Sequence, residues 1–383
     1  MRKLLIVAAA LGLGACPNKN GGDKPVESNE IVVGEYGSMT GSEATFGQST
    51  HNGLTLAVDE INAAGGIKGK QVKLINYDDQ GKTSEVGTAV TRLITNDHAL
   101  AIIGEVASSL SIAGGQIAQQ HGVPMISPSS TNPKVTETGD YVFRVCFIDP
   151  FQGYVMARFA TDATDKSGLG IKKVAILIDQ RQAYAQGLAK DFESSLIKLG
   201  GAITDKESYQ GGDQDFSAQL TKIKSSAPEA IFIPGYYTDV ANIAKQARQL
   251  GITVPLLGGD GWESVQDIGG DAIQGAFFSN HYSSDEKRPE VQQFVDKYVK
   301  RYGKKPDSMA ALSYDAMMLL KNAIERAPKI DHKEVRDAIA ATKDFQGVTG
   351  KITMDANRNA TKPAVVLKIV GKSTTAAASI PPP

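Results

Sequence analysis

Strand-like and helix-like runs alternate along most of this chain, and that order admits few folds. Ile31–Tyr36 reads as a strand, and Gly53–Ala63 places Leu54, Val58 and Ile61 at helical spacing. Val72–Tyr77 is strand-like and leads into a helical pattern through Val86, Val90, Leu93 and Ile94. Ala101–Gly104 and Pro124–Ser127 are short apolar strands around a helix that opens at Ser108. Repeated βαβ order calls for a parallel sheet covered by helices on both faces.

The pattern restarts after Pro150. Lys173–Ile178, Ala230–Ile233 and Val254–Leu257 read as strands, with helical stretches at 183–199, 216–226 and 238–250 between and after them. Two βαβ sets with a break near 148–151 predict two Rossmann-like α/β lobes, each with a parallel central sheet. A length of 383 residues accommodates more than one domain. The last third differs. Helices near 288–302, 308–327 and 332–342 precede the strand-like Lys351–Met354 and Val365–Val370, so this segment is expected to return and complete both lobes.

The N-terminus reads as a processing segment. MRKLLIVAAALGLGAC has a basic start, a short apolar core and small residues before a cysteine, the pattern of a secretory signal. Leu13-Gly14-Ala15-Cys16 resembles the bacterial lipobox, which implies a lipoprotein signal peptide over 1–15 and lipidation of Cys16. Residues 16–29 are polar with Gly and Pro and read as a flexible tether. Residues 372–383, ending in three prolines, read as a disordered tail. Removing 1–15 takes Arg2 and Lys3, lowering Lys plus Arg from 41 to 39 against 42 acids, a formal charge of −3. That balance offers no basic field for nucleic acid. With Cys16 lipidated, Cys146 has no partner for an internal disulfide. Its place in VFRVCF predicts buried packing.

Catalytic signatures are missing. There is no G-x-S-x-G elbow, no H-x-x-x-H pair among the five histidines and no complete P-loop, and GEYGSMTG stands where a dinucleotide fingerprint would be. Asp78-Asp79 reads as a strand-end turn of solvated acids, because calcium-loop spacing is lacking. No enzyme activity, cofactor or metal is expected.

Ligands of open parallel sheets bind beyond the carboxyl ends of the strands. The residues there segregate. Ser108, Ser109, Ser129, Ser130 and Thr131 follow strands of the first half; Asp149, Tyr184, Tyr236, Tyr237, Asp260 and Trp262 stand at corresponding places later. Hydroxyls and a helix N-terminus suit an anion, whereas carboxylates and tyrosines suit a cation. Each residue alone has an ordinary reading as a helix cap or loop residue. The segregation by lobe favours a zwitterion between the lobes, and an α-amino acid has that dipolar head.

AVDEINAAGGIKGKQVKLINYDDQ (57–80), IIGEVASSLSIAGGQIAQQHGVPMISPSST (102–131) and AYAQGLAKDF (183–192) carry a family resemblance. Over about residues 30–371 the chain resembles the leucine/isoleucine/valine-type amino-acid-binding proteins of bacterial ABC importers, with the type I periplasmic binding fold. The resemblance implies that Ser108 and Thr131 take the ligand carboxylate and that the Ser129 carbonyl faces the ammonium. It also implies that Asp149, Tyr184, Tyr236 and Asp260 serve the ammonium, with Asp260 the main counter-charge although the family often carries Glu there. Ser109 keeps the capping reading. Phe46, Glu105, Trp262 and Met309 are expected around the ligand side chain. Phe46 and Met309 suit a branched aliphatic group, Glu105 and Trp262 a polar or cationic one, and Glu105 reads equally well as a rim residue in water. Crossings between lobes are expected near 148–150, 281–284 and 355–360, giving lobe 1 as 30–148 plus 284–355 and lobe 2 as 149–283 plus 360–371. Implied partners are a membrane permease and ATPase in trans, for a monomer anchored by lipid. Two alternatives stay open: a sensing lipoprotein of the same fold, or a binder of a polar or cationic amino acid or of another small carboxylate or amide.

Overall fold

A computed structural model describes residues 29–164 and 168–382. Cys16, the signal segment 1–15 and the tether up to residue 28 lie outside the described residues. The first half runs β1 (Glu30–Gly37), α1 (Ala44–Ala63), β2 (Gln71–Asp78), α2 (Thr83–Thr95), β3 (Ala101–Ile103), α3 (Ser108–His121), β4 (Met125–Ser127), α4 (Lys134–Glu137) and β5 (Val142–Arg144). These strands make one sheet in the order β2-β1-β3-β4-β5, parallel throughout. β3, β4 and β5 are buried at every residue. Short apolar runs in the sequence correspond here to strands covered on both faces.

The chain then continues through α5 (Asp149–Thr161), β6 (Lys173–Asp179), α6 (Ala183–Lys198), β7 (Ala202–Tyr209), α7 (Ser217–Ser225), β8 (Ala230–Phe232), α8 (Tyr237–Gln249), β9 (Leu256–Gly258), α9 (Val265–Gly269) and β10 (Phe277–Asn280). It returns to the first sheet with α10 (Pro289–Tyr302), α11 (Ser308–Arg326) and α12 (His332–Ala340), whose Val291, Phe294, Leu312 and Val335 share a core with Ile31 and Val33. A two-stranded ribbon follows, β11 (Phe345–Gly347) with β12 (Gly350–Ile352). Finally β13 (Ala364–Val370) and β14 (Ser373–Ile380) join the second sheet, whose order is β14-β13-β10-β9-β8-β6-β7. β13 and β14 add antiparallel strands to one edge of an otherwise parallel sheet.

The expectation of a disordered tail over 372–383 is wrong for most of its length. STTAAASI pairs with β13 from Val370↔Ser373 to Ala364↔Ile380, closed by the two-residue turn Gly371-Lys372. The small and polar residues that resemble a disordered tail are those tolerated on an exposed edge strand. Val365, Val366 and Leu367 of β13 supply the paired backbone. β7, AITDKESY, escapes pattern reading for the same reason, since only Tyr209 of its eight residues is buried.

In the first sheet β1 lies between β2 and β3, so the strand order reverses there, and in the second β6 lies between β7 and β8. These reversals open crevices at the carboxyl ends of the strands. The loops after β1, β3, β4, β6, β8 and β9 converge there.

Candidate ligand site

A narrow cavity of about 210 Å³ lies between the lobes, lined by Phe46, Val106, Ser108, Ser129, Thr131, Tyr184, Tyr236, Asp260, Gly261 and Met309. Only about 10 Å³ of it admits the centre of a water-sized sphere, room for about one water, so the lobes are nearly shut on it. Larger surface grooves exist, but their walls lack this convergence of unpaired polar groups, which is what defines a site.

The first lobe supplies the hydroxyl side. α3 starts at Ser108, so its first N–H groups have no intrahelical partner. The Ser108 hydroxyl accepts from the Asn132 N–H at 3.3 Å. The Ser129 Oγ and Thr131 Oγ1 are buried and make no hydrogen bond to any described residue. Buried polar groups normally have partners, and leaving one unmade costs about 1–3 kcal/mol. Two orphan hydroxyls side by side are therefore a docking surface for a hydrogen-bonding ligand.

The second lobe supplies tyrosines and a carboxylate. Tyr184 and Tyr236 stack at 5.3 Å with their planes 7° apart. Tyr184 OH accepts from the Gly261 N–H at 3.1 Å, while Tyr236 OH is buried without a partner. Asp260 opens a short 3₁₀ turn, Asp260–Trp262, directly after β9. Its Oδ1 accepts from Gln152 Nε2 at 2.7 Å, and its Oδ2 lies 2.9 Å from His281 Nε2. Phe46, on the first turn of α1, meets Tyr236 edge-on at 5.9 Å and Tyr237 at 4.9 Å, closing the cavity from the opposite lobe.

Asp149 is buried but does not line the cavity, and neither of its oxygens is hydrogen-bonded. Burial pushes its carboxyl well above the usual carboxylate range, reinforced by the Asp260 charge and opposed by the Arg144 guanidinium. It therefore holds a proton more tightly than an ordinary carboxyl, and Asp260 is the acid that faces the cavity.

Four expectations need correction. Glu105 neither faces the cavity nor sits on a wet rim. It is 1% exposed and accepts from the Ser38 N–H and hydroxyl, both at 3.0 Å, and from the Ala107 N–H. Its neighbour Val106 takes the cavity wall instead. Trp262 turns into the second lobe, where its indole N–H donates to the Ile233 carbonyl at 2.8 Å. The ring lies over Gly258, where an added Cβ would come within 2.0 Å of it. Ser109 is not a cap, because Ala107 holds that position without a side-chain cap. The Ser109 hydroxyl instead accepts from the Ala183 N–H at 3.0 Å and contacts Gln182 Oε1 at 3.3 Å, bridging the lobes. Asp79, expected to be solvated, is fully buried, and only Asp78 sits near the surface.

Sequence reasoning missed Val106 and Gly261 in the wall, and Gln152 and His281 behind Asp260. Alternation along GEVASS was a usable signal for Val106. Cys146 is buried as expected, its Sγ 3.3 Å from the Ser130 carbonyl, and burial pushes its thiol up to about 12.

Two sheet-centred lobes, three crossings of the chain between them and an enclosed polar cavity at their junction define a two-lobed binder of a small solute. A family model described as periplasmic binding protein matches residues 30–374, and the chain belongs to that family. It is a solute-binding protein of the ABC-transporter type, not an enzyme. Relatives include the Leu/Ile/Val-binding protein homolog 2 of Brucella abortus, 33% identical over 85% of this chain and 86% of that protein. Among solved structures, the leucine-binding protein LivK of Thermotoga maritima is 40% identical, with a TM-score of 0.87 over 92% of this chain and 99% of its own. The branched-chain amino acid transporter substrate-binding protein LivJ of Streptococcus pneumoniae, solved with isoleucine, is 35% identical, with a TM-score of 0.85 over 92% of this chain and 100% of its own.

Proposed function

We propose that this protein captures a branched-chain amino acid between its lobes and presents it to a membrane permease. One observation carries the reading: unpaired buried hydroxyls of one lobe line the same narrow cavity as the Asp260 carboxylate and tyrosines of the other. In this reading Ser108, Thr131 and the N-terminus of α3 bind the carboxylate. The Ser129 carbonyl, Tyr184, Tyr236 and Asp260 bind the ammonium, and Asp149 supports that side from behind Thr131. Phe46, Val106 and Met309 form an apolar wall for the side chain. That wall, with Glu105 and Trp262 turned away, favours an aliphatic side chain over a cationic one. Relatives named as Leu/Ile/Val-binding proteins and a neighbour solved with isoleucine support the same class.

Binding proceeds by hinge closure of lobe 1 (30–148 plus 284–355) on lobe 2 (149–283 plus 360–380). Closure removes water from both head groups, and each charge-assisted bond then contributes about 1.5–3 kcal/mol. Three or four such bonds, less the cost of ordering, reach the roughly −8 kcal/mol of micromolar affinity. The protein works as a monomer outside the cytoplasmic membrane, held by lipid on Cys16, and an ATPase drives the permease.

Asp260→Ala tests the assignment by calorimetry with leucine. Removing one partner of a buried charge pair costs about 2–5 kcal/mol, or at least about thirtyfold in Kd. Undiminished affinity in a folded variant would remove Asp260 from the site.

A further inference from the structure

Asp260 is the one carboxylate facing the cavity, and it does not orient itself. Both oxygens are engaged from behind, Oδ1 by Gln152 Nε2 at 2.7 Å and Oδ2 by His281 Nε2 at 2.9 Å. Both partners are buried, Gln152 fully and His281 to 3% exposure, and neither lines the cavity. Their places in the chain matter. Gln152 lies on the first turn of α5, just past the first crossing from the first sheet to the second. His281 directly follows β10, at the start of the return crossing. The imidazole stacks on Phe147, which belongs to the first crossing segment, with ring centroids 3.7 Å apart and planes 28° apart. The residue before His281 is tied as well, since Asn280 Nδ2 donates to Glu263 Oε2 at 2.8 Å.

The proton inventory fixes who donates. A carboxylate accepts only, so His281 Nε2 carries the hydrogen and Nδ1 is the bare nitrogen. Nδ1 is buried with no hydrogen bond to a described residue, as is Gln152 Oε1. Each side chain thus gives its one useful contact to Asp260 and leaves its other polar atom unsatisfied. Neither group is built into a wider network that would explain its burial. What they do is aim a carboxylate.

We propose that His281 and Gln152 are positioning residues that hold the Asp260 carboxylate toward the ligand ammonium and tie its orientation to the two crossing segments of the hinge. This rests on the amino-acid reading of the cavity. When the crossing strands rotate, His281 and Phe147 move with them and carry the carboxylate's orientation along, the His281–Asp260 bond staying intact.

The test uses the full chain with leucine as ligand, and imidazole ¹⁵N spectra of the ligand-free protein. His281→Leu is expected to raise Kd at least tenfold, and His281→Gln, which keeps a donor, to return it to within about threefold of wild type. Gln152→Leu is expected to weaken binding in the same direction. Wild-type affinity in His281→Leu, or failure of Gln to rescue where Leu weakens, overturns the proposal. Without any ligand, His281 is expected to show the Nε2–H tautomer with a slowly exchanging proton that Asp260→Ala makes fast. An Nδ1–H tautomer in wild type overturns the proposal even if the leucine variants fold poorly. Absence of amino-acid binding in wild type, with the tautomer as expected, instead refutes the amino-acid reading and leaves the His281–Asp260 geometry standing.

Discussion

Ser38 donates one hydroxyl proton between two buried acids, with Asp79 Oδ1 at 3.1 Å and Glu105 Oε1 at 3.0 Å. Burial pushes the Asp79 carboxyl up to about 6 and the Glu105 carboxyl well above the usual carboxylate range, each reinforced by negative neighbours. One hydroxyl proton cannot serve two carboxylates, so the pair retains a proton near neutrality. A folded-state pKa raised above the unfolded value of about 3.9 means that the native state binds more protons across that window. The contribution is fully present below about pH 4 and lost as pH rises through about 6. Asp79→Asn removes this titration. Its unfolding free energy relative to wild type should therefore climb between pH 4 and 7, by up to about 3 kcal/mol. A flat difference across that range refutes the shared-proton account. At the ligand, Thr131→Val should weaken leucine binding by about 1.5–3 kcal/mol, the worth of a hydrogen bond to a charged group, with melting unchanged in calorimetry. Ser129, Thr131, Tyr184, Tyr236 and Asp260 were legible because each closely follows a strand, where open sheets expose side chains to a crevice. Glu105 and Trp262 were not, because the facing direction of one residue in a strand-end loop depends on tertiary partners. For Glu105 those are Ser38 and Ala107; for Trp262 it is the bare backbone of Gly258. Gln152 and His281 lie 108 and 21 residues from Asp260, and no local pattern joins such pairs.

Helices and strands with one apolar stripe announced themselves. α1, α6, α8, α10, α11 and α12 follow the 3.6-residue period, and the buried β3, β4, β8 and β9 are apolar runs bounded by turns. The elements that escaped have sequence patterns decided by exposure: β7 and β14 carry polar residues on sheet edges. Packing between elements is less legible still. α1 crosses α11 at Gly53, where a Cβ would lie 2.1 Å from the Ala310 carbonyl and 2.2 Å from Ser313 Oγ. The Ser313 hydroxyl is already committed to the carbonyls of Thr50 and Ala310. Gly53→Ala should therefore cost about 1–3 kcal/mol by overpacking. Chemical denaturation checks this, and a variant as stable as wild type would mean that the helices can part freely.

At the scale of the molecule, the lobes touch through a short set of contacts. Thr45 N–H donates to Tyr237 OH at 3.2 Å and Thr238 Oγ1 to the Ser42 carbonyl at 2.7 Å, while Asn132 Nδ2 donates to the Ala183 carbonyl at 2.7 Å. Ser109, the Ser308–Glu263 bonds and Phe46 on Tyr236 and Tyr237 add to these, so closure seals the cleft with polar bridges around an aromatic contact. Leucine is expected to shift solution scattering toward a smaller radius of gyration and, at a hundredfold excess over Kd, to stabilise by about 2.7 kcal/mol. An unchanged radius with ligand bound would argue against hinge closure.

The chain's three passages between sheets also bear on time. The first sheet is complete in strands by Arg144, yet the helices that cover one of its faces, α10 to α12, begin only at Pro289. The second sheet waits for β13 and β14, which end at Ile380. Neither lobe is a contiguous piece of polypeptide, so neither can finish while the chain is still emerging. Apolar surfaces of β1, β3 and α1 stay uncovered until the last third arrives, which is the interval in which such surfaces are prone to aggregate. The same threading that makes a hinge thus obliges the second lobe to remain unfinished until β13 and β14 are in place.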